Sequence, residues 1–115
     1  MSKLIKVVNL EDGLPSVEQA RARLSTEINI ARQSGLRVLK IIHGYGSSGV
    51  GGDLRIGLQA TLRQMADRRE IQACIYGENW RKADEQAWAL LKQFPELKDD
   101  RDFGRSNRGI TLVVL

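Results

Sequence analysis

The sequence of 115 residues has little or none of what several protein classes require. Its one cysteine, Cys74, cannot form an internal disulfide, which favours a reducing compartment. One cysteine and one histidine, His43, are also too few for a structural zinc site. No apolar run is long enough to span a bilayer or to form the core of a signal peptide. We therefore expect a cytoplasmic protein that makes no membrane contact.

The remaining composition is typical of one folded domain. Hydrophobic residues make up 42% of the chain, charged residues 28%, and there are only two prolines. A chain of this length buries roughly two thirds of the surface that it exposes when unfolded, which is enough core for one domain. We expect residues 1–115 to form that single domain.

The net charge of +4 is distributed unevenly. Residues 78–102 contain five basic and seven acidic side chains, so the rest of the chain has a net charge of +6. This favours an acidic partner for the rest of the chain, although a modest excess of positive charge is also common on ordinary solubilising surfaces.

Hydrophobic patterning predicts the order β-α-β-α-β-α-β. Aliphatic and β-branched runs indicate strands at residues 4–10, 37–43, 71–76 and 109–115. Apolar side chains at helical spacing indicate helices at residues 17–34, 54–69 and 80–94. Strands connected through helices favour parallel pairing with right-handed crossovers. The sequence therefore predicts an α/β domain with a mixed sheet.

Local signals predict where these helices begin and end. Ser16 and Gln19 have the spacing of a capping box, and Gly35 is placed to end the first helix in a left-handed conformation. Asp53 can act as the N-cap of the second helix, and Pro95 stops the third.

The third helix contains both tryptophans of the chain, Trp80 and Trp88. Either they pack against the domain, or they form a docking face for a protein partner. Residues 98–108, which follow this helix, are polar and turn-rich, and we expect them to be mobile.

Five of the eleven glycines lie in residues 41–53, between a predicted strand and a predicted helix. This density allows the backbone to approach an anion closely, so phosphate or a nucleic-acid backbone is the natural ligand. A flexible surface loop without a ligand is the alternative. The lysine and hydroxyl of a Walker loop are missing after Gly49. Gly44, Gly46 and Gly49 match the dinucleotide pattern, but the chain is too short for two mononucleotide-binding halves.

The glycine segment begins with a motif that can be compared with known families. His43-Gly44-Tyr45-Gly46 resembles the HGxG signature of the Smr (small MutS-related) domain, and residues 108–115 resemble the terminal GxTxVxL strand of that domain. The resemblance implies a two-layer sandwich in which a four-stranded mixed sheet carries two helices on one face, similar to the C-terminal domain of translation initiation factor three. Residues 78–102 would then be an inserted helical segment.

The resemblance also implies a nucleic-acid role, because Smr domains bind nucleic acid and several nick DNA or cleave RNA. The family's LDxH motif supplies an acid and a histidine for cleavage. Asn9 and Glu11 stand in their places here, so the sequence resembles a diverged member that lacks the motif. Neither an asparagine nor a carboxyl group that titrates near 4.3 simply replaces them. Whether the chain is an enzyme therefore stays open.

The leading hypothesis is a domain that contacts the backbone of RNA or DNA. Its predicted contacts are His43, Gly44, Tyr45, Gly46, Arg55, Arg105 and Arg108, with Lys40 as a further candidate. The first alternative is an endonuclease in which His43 and Glu11 are catalytic, and only this alternative calls for magnesium. The second alternative is a protein-interaction module that uses Trp80 and Trp88. No other cofactor or metal is expected.

Overall fold

The computed structural model describes residues 5–13, 15–44 and 50–115. Its regular elements are β1 Ile5–Asn9, α1 Val17–Gln33, β2 Val38–Ile42, α2 Val50–Asp67, β3 Ala73–Tyr76, α3 Glu85–Gln93 and β4 Ile110–Val114. Two short 3-10 helices, Gly77–Asn79 and Pro95–Asp99, flank α3. This element order confirms the predicted β-α-β-α-β-α-β pattern.

The four strands form one mixed sheet in the order β1-β2-β4-β3. Strand β1 is parallel to β2, whereas β4 is antiparallel to both of its neighbours. Strands β1, β2 and β3 therefore point the same way and end at one edge of the sheet, which is the edge where β4 begins. We call it the carboxyl edge.

The two faces of the sheet are covered differently. Helices α1 and α2 pack on one face, where Leu24 and Leu58 meet Leu39 of β2. This confirms the α/β class, with a mixed sheet and two helices on one face. Segment 80–97 packs on the other face, over β3 and β4, and adds a partial third layer around Trp80. The edge strand β1 is less covered there, since Val7 is 55% exposed.

Two of the predicted helix ends are confirmed at α1. The Gln19 amide donates to Ser16 Oγ at 3.1 Å, and the Ser16 amide donates to Gln19 Oε1 at 2.9 Å, which completes the capping box. Gly35, just after the helix, has a φ of +74°. A left-handed glycine is a common way to end a helix.

The predicted starts of the other two helices are wrong. Helix α2 begins at Val50, so Asp53 lies in its first turn instead of capping it, where its charge still faces the positive end of the helix dipole. Helix α3 begins at Glu85, because the Asp84 carboxylate accepts from the Ala87 amide at 3.0 Å and caps the helix there. Trp80 precedes the helix. Within the described residues, no helix is long and apolar enough to cross a membrane.

Candidate functional site

The carboxyl edge brings together segments that are far apart in the sequence. The Leu10 amide, just after β1, donates to the carbonyl of Ile42 at 2.8 Å. The carbonyl of Gly109, just before β4, accepts from the amides of His43 at 2.9 Å and Gly44 at 3.1 Å. The start of the glycine segment is therefore held between the end of β1 and the start of β4.

The imidazole of His43 is fully enclosed, with 0% exposure. Its Nδ1 lies 2.6 Å from the Gly44 carbonyl, which can only accept, so Nδ1 carries a proton. Its Nε2 lies 2.9 Å from Thr111 Oγ1, and that hydroxyl also accepts from Gln59 Nε2 at 3.3 Å. Assigned from this network, Gln59 donates to Thr111, Thr111 donates to Nε2, and His43 donates to Gly44. Both ring nitrogens are satisfied in the neutral form.

Burial also favours the neutral imidazole. Desolvation lowers the pKa of His43, and the nearby charge of Arg55 lowers it further, whereas the hydrogen bond to Gly44 and the carboxylates of Glu78 and Glu11 oppose the shift. A buried ring with both nitrogens occupied is poorly placed to exchange protons with a substrate. The structure thus gives His43 a positioning contact: it joins the glycine segment to β4.

Glu11 lies directly against the glycine segment. A Cβ atom built on Gly44 would lie 1.8 Å from Glu11 Oε2, and Gly44 has a φ of +74°. The positive φ favours glycine here, and any side chain at this position would require the Glu11 carboxylate to move. The Glu11 carboxylate therefore lies against Gly44, the residue that follows His43.

Asn9 has a local role in the turn that follows β1. Its Oδ1 accepts from the amides of Glu11 at 2.9 Å and Asp12 at 3.0 Å. Arg23 of α1 donates to the carbonyls of Asn9 at 3.2 Å and Asp12 at 3.3 Å. Asn9 therefore shapes the turn that presents Glu11.

Lys40 does not lie on the surface. Its side chain is 4% exposed, and its ammonium donates to Asp100 Oδ1 at 3.1 Å and pairs with Asp102. The expectation that Lys40 contacts phosphate is therefore wrong. Its position in β2 points the ammonium into the second face of the sheet, where two carboxylates already neutralise it.

The same carboxylates fix the segment between α3 and β4. Asp100 accepts from Trp80 Nε1 at 3.1 Å, and Asp102 accepts from Asn107 Nδ2 at 3.0 Å. Burial alone would raise the pKa of Asp102, but hydrogen bonds from Lys40 and Asn107 and the charge of Lys40 outweigh it and hold the pKa below its usual value. The segment that we expected to be mobile is thus tied to β2 by an internal network.

The outer side of this segment is basic. Arg101, Arg105 and Arg108 are exposed and line one open depression of about 650 Å³. None of them forms an ion pair with another described residue. A second depression of about 500 Å³ also includes Arg101 and extends to Glu11 and Gly44. The two depressions form one continuous surface, which we call the arginine groove.

Three other predicted contacts lie outside this groove or outside the described residues. Arg55 Nη2 pairs with Glu78 Oε2 at 2.7 Å, so a carboxylate from the end of β3 already neutralises its charge. Tyr45 and Gly46 are not among the described residues, and their contacts stay predictions.

The two tryptophans behave differently from each other. Trp80 is completely buried, and its ring packs edge-on against Phe103 at a centroid distance of 5.0 Å. Trp88 is 41% exposed. A docking face made of both indoles is therefore absent from this part of the chain.

Sequence reasoning missed four residues of the site: Gln59, Arg101, Asn107 and Thr111. Thr111 left a signal, since it is a single polar residue inside an aliphatic strand. Gln59 left a similar one on the buried side of α2 beside Leu58. A polar side chain in a core position needs a partner: Thr111 bonds to His43, and Gln59 donates to Thr111.

Comparison with known proteins gives two matches and one negative result. The sequence model of the Smr domain matches residues 13–84, a range that includes His43 but not Asn9, Glu11 or β4. The crystal structure of the Smr domain of Thermus thermophilus MutS2 is similar with a TM-score of 0.57 and 23% identity, covering 96% of each chain. At that identity the likeness shows the fold. No curated protein matches the chain.

Proposed function

The chain belongs to the Smr domain family, which is associated with nucleic-acid binding and nicking, and from this premise we propose that it binds the backbone of RNA or DNA in the arginine groove. Arg105 and Arg108 contact phosphates, and Arg101 extends the contact towards Glu11 and Gly44. Gly46 allows close approach of the strand, and Tyr45 stacks on an exposed base.

One observation carries this proposal: three exposed guanidinium groups line one concave surface on a segment that the Lys40 network holds in place. Guanidinium groups present forked donors that match phosphate oxygens. Contacts of this kind attract the backbone without reading the sequence. We therefore expect binding that depends strongly on salt and little on base sequence.

His43 supports this function from inside the domain. Its bond to the Gly44 carbonyl sets the direction of the glycine segment, and its bond to Thr111 ties that segment to β4. Replacing His43 by alanine leaves the exposed arginines in place but frees the segment. We expect weaker binding with an unchanged number of ionic contacts.

The test is the affinity for a single-stranded and a stem-loop oligonucleotide across a salt series. The variant Arg105→Gln/Arg108→Gln is compared with Arg32→Gln/Arg68→Gln, which has the same net charge but changes exposed arginines at the opposite end of the sheet. Losing two phosphate contacts should weaken binding at low salt by at least about tenfold and lower the salt slope by about 1 to 2. The control should keep most of the affinity and the slope.

Equal losses in the two double variants would show that net charge, and not the groove, drives binding. Absence of binding by the unmodified protein at low salt would contradict the proposal altogether.

Cleavage is the second candidate function, and one observation favours it. The Glu11 carboxylate lies in the arginine groove against Gly44, where a bound strand would pass. Within the described residues, no group of three His, Cys, Asp or Glu side chains is placed to hold a metal ion. Labelled RNA and supercoiled plasmid, incubated with the protein and with Glu11→Gln, test this candidate. Cleavage that Glu11→Gln leaves unchanged would exclude Glu11 as its catalyst.

A further inference from the structure

A separate concave surface lies around the exposed tryptophan of α3. It is an open depression of about 320 Å³, and its lining includes Lys82, Trp88, Lys92, Lys98 and Phe103. We call it the Trp88 platform. The proposed function does not use these residues.

The platform combines one aromatic face with concentrated positive charge. The ammonium groups of Lys82 and Lys92 lie 5.7 Å and 5.6 Å from the centre of the Trp88 ring, and Lys98 adds a third charge. None of the described residues that line this depression is acidic. Three ammonium groups around one small cavity repel each other, and a bound polyanion would relieve that repulsion. Asp84 and Glu85 border only the shallow surface on the other side of Trp88.

We propose that the Trp88 platform is a second binding site for single-stranded nucleic acid. One base stacks on the indole of Trp88, and the lysines hold the phosphates on either side of that base. Aromatic rings accept any base on their π face, and nearby cations hold the backbone. The proposal rests on the proposed function and extends it to a further site on the same strand.

The platform and the arginine groove are lined by neighbouring residues of one segment. Phe103 lines the platform, whereas its neighbour Asp102 and nearby Arg101 line the groove. Phe103 is held in place by its contact with Trp80, and the Gly104 amide donates to the Trp80 carbonyl at 2.8 Å. The segment that carries Arg101 is therefore fixed against the residue that packs beside the platform, and we propose that one strand contacts both surfaces.

The surroundings of Trp88 favour nucleic acid over a protein partner. A stable protein interface buries about 800 Å² on each side and has an apolar centre. The other large exposed hydrophobic side chains of the described residues, Val7, Ile30 and Ile56, lie on β1, α1 and α2. Trp88 is thus separated from the other exposed hydrophobic side chains. The apolar lining next to it is limited to Leu91, Pro95 and Phe103, and three lysines surround it.

Tryptophan fluorescence reports on the platform directly. Trp80 is enclosed and contributes a constant background, whereas stacking of a base on Trp88 should quench its emission. We expect quenching when the protein is titrated with a mixed-sequence single strand of roughly 12 nucleotides, within the site sizes of comparable modules. A polyglutamate peptide of similar charge, used as the probe for an acidic protein partner, should cause no quenching.

Two variants separate stacking from simple apolar contact. Trp88→Leu keeps an apolar side chain but has no π face, and it should weaken binding of the single strand about tenfold. Trp88→Phe keeps a smaller π face and should weaken binding less than about threefold. Ile30→Ala, which changes another exposed hydrophobic residue on α1, should leave the affinity unchanged.

The outcomes distinguish this inference from the proposed function. Unchanged affinity in Trp88→Leu, with no quenching, would overturn the inference, and a loss in Arg105→Gln/Arg108→Gln would still support the groove. The reverse pattern would support the platform and contradict the groove. Quenching by polyglutamate without quenching by the oligonucleotide would overturn the inference in favour of a protein partner. No binding of the oligonucleotide at all would contradict both proposals.

Discussion

Replacing Lys40 by methionine tests the internal network that holds the arginine groove in place. Methionine fills a similar volume but leaves Asp100 and Asp102 without their cation. Removing one partner of a buried ion pair generally costs about 3 to 5 kcal/mol, because the remaining charge is left uncompensated. For a chain of 115 residues, 1 kcal/mol shifts the melting temperature by about 4 °C. We therefore expect Lys40→Met to melt about 12 to 20 °C below the unmodified protein.

The loss should also depend on pH, with a sign that follows from Asp102. The pKa of Asp102 is depressed in the folded protein, so the carboxylate stabilises the fold at pH values above its unfolded pKa of about 3.9. This stabilisation is lost as the pH falls through the folded pKa. Lys40→Met removes one hydrogen bond and one charge that depress this pKa, so the carboxylate contributes less stability above about pH 3.9. The difference in free energy of unfolding between the two proteins should be largest at neutral pH and shrink as the pH falls below about 4.

Urea denaturation at neutral and acidic pH measures this difference. Lys6→Met is the matched control, because Lys6 pairs with Glu27 at 3.2 Å on the surface, where its side chain is 44% exposed. We expect the control to lose less than about 1 kcal/mol. Adding Asp102→Asn to Lys40→Met should recover part of the lost stability. A loss in Lys40→Met as small as that of the control, or equal at both pH values, would refute the reasoning about this network.

Three further substitutions test the carboxyl edge. Thr111→Val removes the hydroxyl between His43 and Gln59 and should lower the free energy of unfolding, measured in urea, by about 1 to 3 kcal/mol. The control Thr26→Val, on the exposed side of α1, should lower it by less than about 0.5 kcal/mol. Equal losses would contradict the buried network. Because burial lowers the pKa of His43, the free energy of unfolding should fall as the pH drops below about 6.5. This pH dependence should be weaker in His43→Gln. An unchanged pH profile in that variant would mean that His43 is not the group responsible. Gly44→Ala should destabilise more than Gly104→Ala, since both have positive φ but only Gly44 lies against a carboxylate, and thermal denaturation should rank them in that order. The reverse order would show that Glu11 is not packed there.

The sequence predicted those parts of the fold that depend on local chemistry. Aliphatic runs located the strands, and the Ser16 and Gln19 pair located the start of α1, because a cap is formed by residues three positions apart. The predicted start of α2 was wrong by a few residues, because Val50 to Gly52 belong to the helix despite the low helix propensity of glycine. The start of α3 depended on which of several polar residues caps it, and Asp84 does so.

The candidate site was only partly predictable because its decisive contacts join distant segments. His43 was identified from its motif, but its enclosure depends on Thr111, which lies 68 residues away in the sequence. The sequence favoured an exposed Lys40, because its ion-pair partner Asp100 lies 60 residues away and the pairing leaves no local signal. The charge of Arg55 is offset by Glu78 for the same reason. The exposure of Arg105 and Arg108 could be predicted because side chains in a polar, turn-rich segment need no tertiary partner, whereas their contact with phosphate stays a prediction.

The most direct test of nucleic-acid binding in the arginine groove is a map of backbone amide shifts by nuclear magnetic resonance during titration with a single-stranded oligonucleotide. We predict that the largest shifts occur at Gly44, Arg101, Arg105, Arg108 and Gly109, and that they diminish as salt is added. Shifts concentrated at the opposite end of the sheet, around Arg32 and Leu115, would contradict this account, as would saturating binding that leaves the groove amides unchanged.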